Sequence, residues 1–358
     1  ANLGTTPGSA TAASLVLNGG TLLATADITL SSNRGISLAA ASTINVDTGD
    51  TLTYAGVIND GSGSFALTKA GAGTLVLSGA NTYDGGTTVS GGTIRAGIAS
   101  TGSAGSVSNG PFGTGTVTVG SGFTIDLGGF NLANALNLSG AGIGSNGALM
   151  NSGSTATASG AVTIAANTSI GGTGAITMSG AISASTFTVT FVNGASVTAE
   201  NTSNNIASIT ITNSALVLKT TAALTVNASS LSGITTLQTV SAGRDITVSG
   251  AISNNTNGNT LTLMASRDVL VSAAIAGSSG KSLTTNLYSD VDNTGGGGFK
   301  STVSTAGIST FGGNITIRGG TTDTTVGCAA SFACIAGYAS YGGALADAIG
   351  VLVWAPLN

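Results

Sequence analysis

The sequence predicts an all-β chain wound as a parallel β-helix (a β-solenoid), forming an elongated single rod, and three observations carry that expectation. Short segments alternate apolar residues with Thr, Ser or Asn along the whole length, glycine-rich turns separate them, and related segments recur about every 20 to 23 residues. A repeat of that size marks stacked units that cannot bury an apolar face alone, whereas a sandwich would show no such period.

Composition closes the other routes. The 358 residues include 57 Gly and 3 Pro, with only 9 basic and 13 acidic side chains. Glycine has no three-residue period, which excludes collagen, and abundant Val, Ile and Thr exclude disorder. Helix formers such as Glu, Lys, Gln and Arg are scarce, so long helices are not expected.

The strands come in a clear order. "SLVLNGG" (14–20), "ADITLSS" (26–32) and "STINVDTGDTLTYAG" (42–56) open the chain, and "GTVTVGSG" (115–122), "GAVTIAAN" (160–167), "ASITITNSALVLK" (207–219) and "GNITIRGG" (313–320) continue it. Between them "GAGTLVLSGANTYDGGTTVSGGTIRAG" (71–97) places Leu75, Leu77, Val89 and Ile94 at inward positions. The clearest internal copy pairs "SAGRDITVSGAIS" (241–253) with "MASRDVLVSAAIA" (264–276), 23 residues apart. "SGAV" at 159 and "SGAI" at 179 are 20 apart. Each corner must reverse within a few residues, which favours Gly, Asn and Asp.

These residues carry two resemblances. "LTKAGAGTLVLSGANTYDGGTTVSGGTIRAG" (67–97) resembles the passenger-associated repeat of bacterial autotransporters, and "GTGTVTVGSGFTIDLGGFNL" (113–132) resembles the segment that commonly succeeds that repeat. "GRDITVSGAI" and "SRDVLVSAAI" are similar to repeats of filamentous-haemagglutinin-type exoproteins. Both resemblances imply a secreted, right-handed parallel β-helix. The chain has no C-terminal membrane barrel and no Asn-Pro motifs of a two-partner secretion domain, so a processed passenger, a fragment or a separate subunit is expected.

Chemistry is sparse. With no histidine, Ser-His-Asp and Cys-His machinery and His-ligated zinc are excluded. A carboxylate-dependent polysaccharide lyase or hydrolase remains the enzymatic alternative, but Asp27, Asp47, Asp50, Asp60, Asp84 and Asp126 sit singly at turns and the one Glu is Glu200. The metal candidate is a weak calcium site at Asp290, Asp292 and Asn293, in "SDVDNTGGGG"; no other cofactor is expected. The doublets Gly85-Gly86 and Gly91-Gly92 precede strands and not a helix, so they read as corners and not as a phosphate cradle. The pairs Arg244/Asp245 and Arg267/Asp268 read as stacked, mutually neutralising charges, and "NNTNGN" (254–259) as amide ladders.

A net charge of −4 without a basic cluster argues against nucleic acid. No apolar run reaches the ~20 residues of a membrane span, and "ANLGTTPGSA" does not read as a signal peptide. The segment 321–358 differs from the solenoid of 1–320. It is apolar and holds Phe332, Tyr338, Tyr341, Leu352 and Trp354, expected as a cap or subunit interface, with Cys328 and Cys334 spaced for a disulfide loop. Low charge, this tail and the absence of an evident cap point to head-to-tail self-association into a homopolymer, through an open contact between unlike ends.

The expected function is therefore a non-enzymatic, extracellular structural or adhesive β-solenoid of a bacterial cell surface. A monomeric adhesin passenger binding surface or matrix glycans is the alternative partner reading.

Overall fold

The computed structural model describes residues 3–194, 196–292, 297–301 and 307–319, together with the backbone of 334–335 and 338–341. The chain divides into two units, Ala1–Ala181 and Ile182–Asn358. Each is a stack of parallel strands, as expected, and among the described residues the single helical element is a short 3-10 turn at Ile143–Ser145.

In the first unit, Thr21–Ala24, Ser42–Val46, Leu67–Ala70, Thr87–Val89, Val117–Val119, Leu136–Gly140 and Val162–Gly172 succeed one another in parallel register. A second run contains Ile28–Leu30, Thr51–Tyr54, Thr74–Leu77, Thr93–Ala96, Thr124–Asp126 and Leu149–Asn151. A third joins Thr11–Asn18, Arg34–Ala40 and Ile58–Asn59. Alternation decides which residues point inward: Leu75, Leu77, Val89 and Ile94 are all fully buried, while Val76, Thr88 and Thr93 between them are not.

The coil length is less regular than the sequence suggests. In the first unit, steps between registered residues run from 19, Thr118 to Asn137, to 31, Ile94 to Ile125. The longest step contains an antiparallel hairpin, Thr101–Ser103 with Ser106–Asn109. Such an excursion leaves the strands on either side in register.

In the second unit, Asn205–Thr220, Ser229–Thr239, Asn259–Met264, Leu283–Tyr288 and Ile315–Arg318 form one parallel run. Leu224–Val226, Ile246–Val248, Val269–Val271 and Phe299–Ser301 form another. The 23-residue copy is one coil on the next, since Ile246 faces Val269 and Ile252 faces Ile275. The backbone of Cys334–Ile335 and Tyr338–Tyr341 pairs antiparallel with Phe299–Ser301 and Ile315–Arg318.

Two corner geometries explain much of the glycine. Gly92 has φ +62°, and a Cβ there would strike the carbonyls of Gly71 and Gly73 in the preceding coil. Elsewhere glycine lies over glycine: a Cβ at Gly153 would run into the backbone of Gly128, and one at Gly174 into Gly153.

The inward column Leu216, Thr235, Leu261, Thr285, Ile315 contains two buried threonines whose hydroxyls have no partner. A buried hydroxyl without a hydrogen bond costs about 1 to 3 kcal/mol, and valine has nearly the same shape. Thr285→Val is therefore expected to stabilise the second unit by about 1 kcal/mol. A urea midpoint that falls would show that this hydroxyl is satisfied in solution.

Candidate functional surface

The repeat at 67–97 is the most motif-rich stretch, and its polar residues are turned into the coil. Leu67, Thr68 and Lys69 alternate in, out, in, so Lys69 is fully buried. Its Nζ donates to the carbonyls of Ala70 (2.7 Å), Gly71 (2.8 Å) and Gly91 (3.1 Å). Burial lowers its pKa to about 8, because the charged form has left water with no carboxylate to compensate. The glycine corners act as a carbonyl cradle for this ammonium.

Tyr83 is equally buried, and its hydroxyl lies 2.6 Å from Thr87 Oγ1, which also donates to Phe112 O. Burial pushes the phenol of Tyr83 up, and that of Tyr54 up to about 12. Asn81 accepts from Ile58 N (2.7 Å) and donates to Pro111 O (2.6 Å), joining coils on both sides.

Asn81 is one of a series. Asn134, Asn151, Asn204 and Asn254 are each at most 1% exposed and bond backbone groups where a corner interrupts the strand ladder. Asn151 Oδ1 accepts from Gly129 N (2.9 Å) and Gly153 N (3.1 Å), and its amide donates to Ser154 O and Ala175 O. Sequence reasoning misses these residues as a class. A signal for them existed: Asn151 lies two residues after Leu149, and Asn254 two after Ile252, in the inward phase of the alternation.

The amide ladder expected at 254–259 is instead an amide-to-backbone network. Asn254 and Asn259 donate to carbonyls of neighbouring coils, and Asn257 Oδ1 accepts from Ser282 N and Oγ. Only Asn255, reaching Asn213 Oδ1 at 3.5 Å, meets another amide within this segment's bonds. Buried carbonyls and N–H groups bind amides more effectively than a second exposed amide does.

Carboxylates are likewise committed. Asp27 accepts from Thr51 N, Asp60 from Phe65 N and Asp84 N, and Asp126 from Gly128 N and Ser152 N. In the second unit Arg267 makes a two-pronged bond to Asp245 in the coil before it, as the charge-offset reading expected. Burial, the largest single effect, works to raise the Asp245 pKa, but the Arg267 bond, the Asp268 N–H and the charges of Arg267 and Lys300 together hold the carboxyl below its usual range. Lys300 Nζ lies 2.6 Å from Asp268.

Two of the three calcium candidates fall among the described residues. Asp290 is buried with φ 51°, Asp292 is exposed, and Asn293 lies outside the described residues. Among the described residues no three His, Cys, Asp or Glu side chains are grouped to hold a metal ion. Cys328, Phe332, Leu352 and Trp354 lie outside the described residues, and Cys334, Tyr338 and Tyr341 are described by backbone alone. No helix among the described residues is long and apolar enough to cross a membrane.

The surface therefore consists of sheet faces and corners. On one face of the second unit Lys219, Gln238, Met264, Tyr288 and Arg318 stand in register on successive coils. Beside them run Val217, Thr236, Thr262, Asn286 and Thr316. The guanidinium of Arg318 lies 5.6 Å from the centre of the Tyr288 ring.

Residues 67–96 match the family model of the passenger-associated-transport-repeat. Over 138 residues the chain is 39% identical to the adhesin BmaC autotransporter of Brucella suis biovar 1 (strain 1330). That match covers 38% of this chain and 4% of the Brucella protein. No solved structure matches the chain.

Proposed function

We propose that this chain is a segment of an extracellular bacterial surface protein that works by adhesion and has no catalytic role. The observation that carries this reading is the autotransporter repeat at 67–96, whose Lys69, Asn81, Tyr83 and Thr87 are all consumed in holding the coil. A passenger with its polar groups spent inside offers partners its side faces. The similarity to a protein named as an adhesin supports the same reading.

For the tail we infer a capping role in preference to head-to-tail joining, since the backbone of 334–335 and 338–341 pairs onto the last strands of the second unit. A strand edge that is paired within the chain is no longer a template for another copy.

Beads coated with the purified chain are expected to attach to cultured epithelial cells more than albumin-coated beads do. Equal attachment would overturn the adhesive reading. In sedimentation velocity the chain is expected to run as a monomer. Filaments that disappear when 328–358 are removed would establish the head-to-tail contact instead.

A further inference from the structure

We propose that a column of threonine hydroxyls on the first unit binds the surface of ice. This goes beyond the adhesive reading and does not depend on it.

Register builds the column. Thr21, Thr43, Thr68, Thr88, Thr118, Asn137 and Thr163 stand opposite one another on seven successive coils. Six steps at the spacing of paired strands make a row ~29 Å long. Every rung is exposed or half-buried. The preference of strands for threonine does not by itself produce such a row, because another outward column of the same unit runs Thr29, Thr53, Val76, Arg95 and mixes hydroxyl, apolar and charged groups.

The hydroxyls are uncommitted. Among the described residues none of the six threonine side chains of the row bonds another group of the chain. Each hydroxyl therefore keeps one donor and two lone pairs for water. A β-branched side chain is restricted at χ1, so methyl and hydroxyl recur in fixed places at the strand spacing. The ground around the row is low and uncharged. Two residues before each rung stands Gly, Ala or, once, Thr116, and no residue two positions after a rung is charged or aromatic.

These properties select the ligand. Ice offers a rigid, uncharged lattice of donors and acceptors at a repeat close to that of paired strands. Waters held on successive hydroxyls and bridged across the methyls take up that repeat and join the lattice. A polyanion or polycation finds no opposite charge on this row, and a sugar ring finds no aromatic side chain to pack against. Asn137 is the defect in the row, since its Oδ1 is buried without a hydrogen-bond partner and is turned away from incoming water.

The test measures, on the purified full chain, the gap between the melting and freezing points of a single ice crystal and the coarsening of ice grains. A gap and slowed coarsening are expected. Thr88→Lys and Thr118→Lys should each abolish both, because a long charged side chain lifts the lattice off the row. Thr88→Val, which keeps the shape and loses one hydroxyl, should narrow the gap only in part. Thr53→Lys, on the mixed column, should change nothing, and Asn137→Thr should widen the gap by completing the row.

Circular dichroism melting of each variant shows whether the coil is intact. No gap in the unmodified chain, an equal loss in a folded Thr53→Lys, or a gap that survives both lysine variants on the row would overturn the proposal. Retention on microcrystalline cellulose without any effect on ice would overturn it as well, and would assign the row to a neutral polysaccharide.

Discussion

Asn151→Ala is expected to destabilise the first unit by about 2 to 4 kcal/mol, because it deprives four part-buried backbone groups of their partner at once. Gly129 N, Gly153 N, Ser154 O and Ala175 O all bond this one amide, which is itself fully buried. An unsatisfied buried group costs about 1 to 3 kcal/mol, and relaxation keeps the total below the simple sum. Thr163→Ala, on an outward position of the same unit, serves as the control and should change stability by less than about 0.5 kcal/mol. Urea denaturation distinguishes them, and an Asn151→Ala loss below about 1 kcal/mol would show that water replaces the amide.

Lys69 should give the second large effect, and it depends on pH. Its folded pKa of about 8 lies below the ordinary 10.5, so between these values the unfolded chain binds more protons. Stability then rises with pH across that window. The gain is on the order of 3 kcal/mol, at about 1.4 kcal/mol per pKa unit. Tyr54 works the other way: its folded value of about 12 exceeds the ordinary 10.0, so its contribution is present below pH 10 and lost as pH climbs toward 12.

The melting temperature is thus expected to climb above pH 8, peak near pH 10 and fall beyond it. In Lys69→Met the climb should vanish while the fall remains. That variant should also be less stable by about 2 to 3 kcal/mol at pH 7, because three carbonyls lose their donor. A climb that survives in Lys69→Met would assign it to another group.

The parallel solenoid was legible in the sequence because its causes are local. Alternation at Thr74–Leu77 and a corner at Gly91-Gly92 each arise from a handful of neighbouring residues. The 23-residue copy even located a register that the strands keep, Ile252 on Ile275. The 31-residue step was not legible, since a hairpin that leaves the coil looks like any other strand and turn.

Buried polar residues were harder still. Lysine and asparagine normally favour water or turns, and only stacking of the next coil brings carbonyls over Lys69 or Asn254. Phase was the missed clue, because Lys69 shares its parity with Leu67 and Thr285 shares its own with Leu283 and Leu287. The outward column of Lys219, Tyr288 and Arg318 was invisible for a related reason: these residues are far apart in sequence and become neighbours only through register.

The glycine column at Gly128, Gly153 and Gly174 bears on how such a protein can change length. At Gly153 and Gly174 the adjacent coil is met through glycine backbone and the Asn151 amide, so the fit between coils rests on backbone groups and one small side chain. Coils become interchangeable modules at these corners. Gene segments encoding whole coils can then be duplicated, lost or exchanged without inventing a new interface, and reach can vary independently of what the faces recognise.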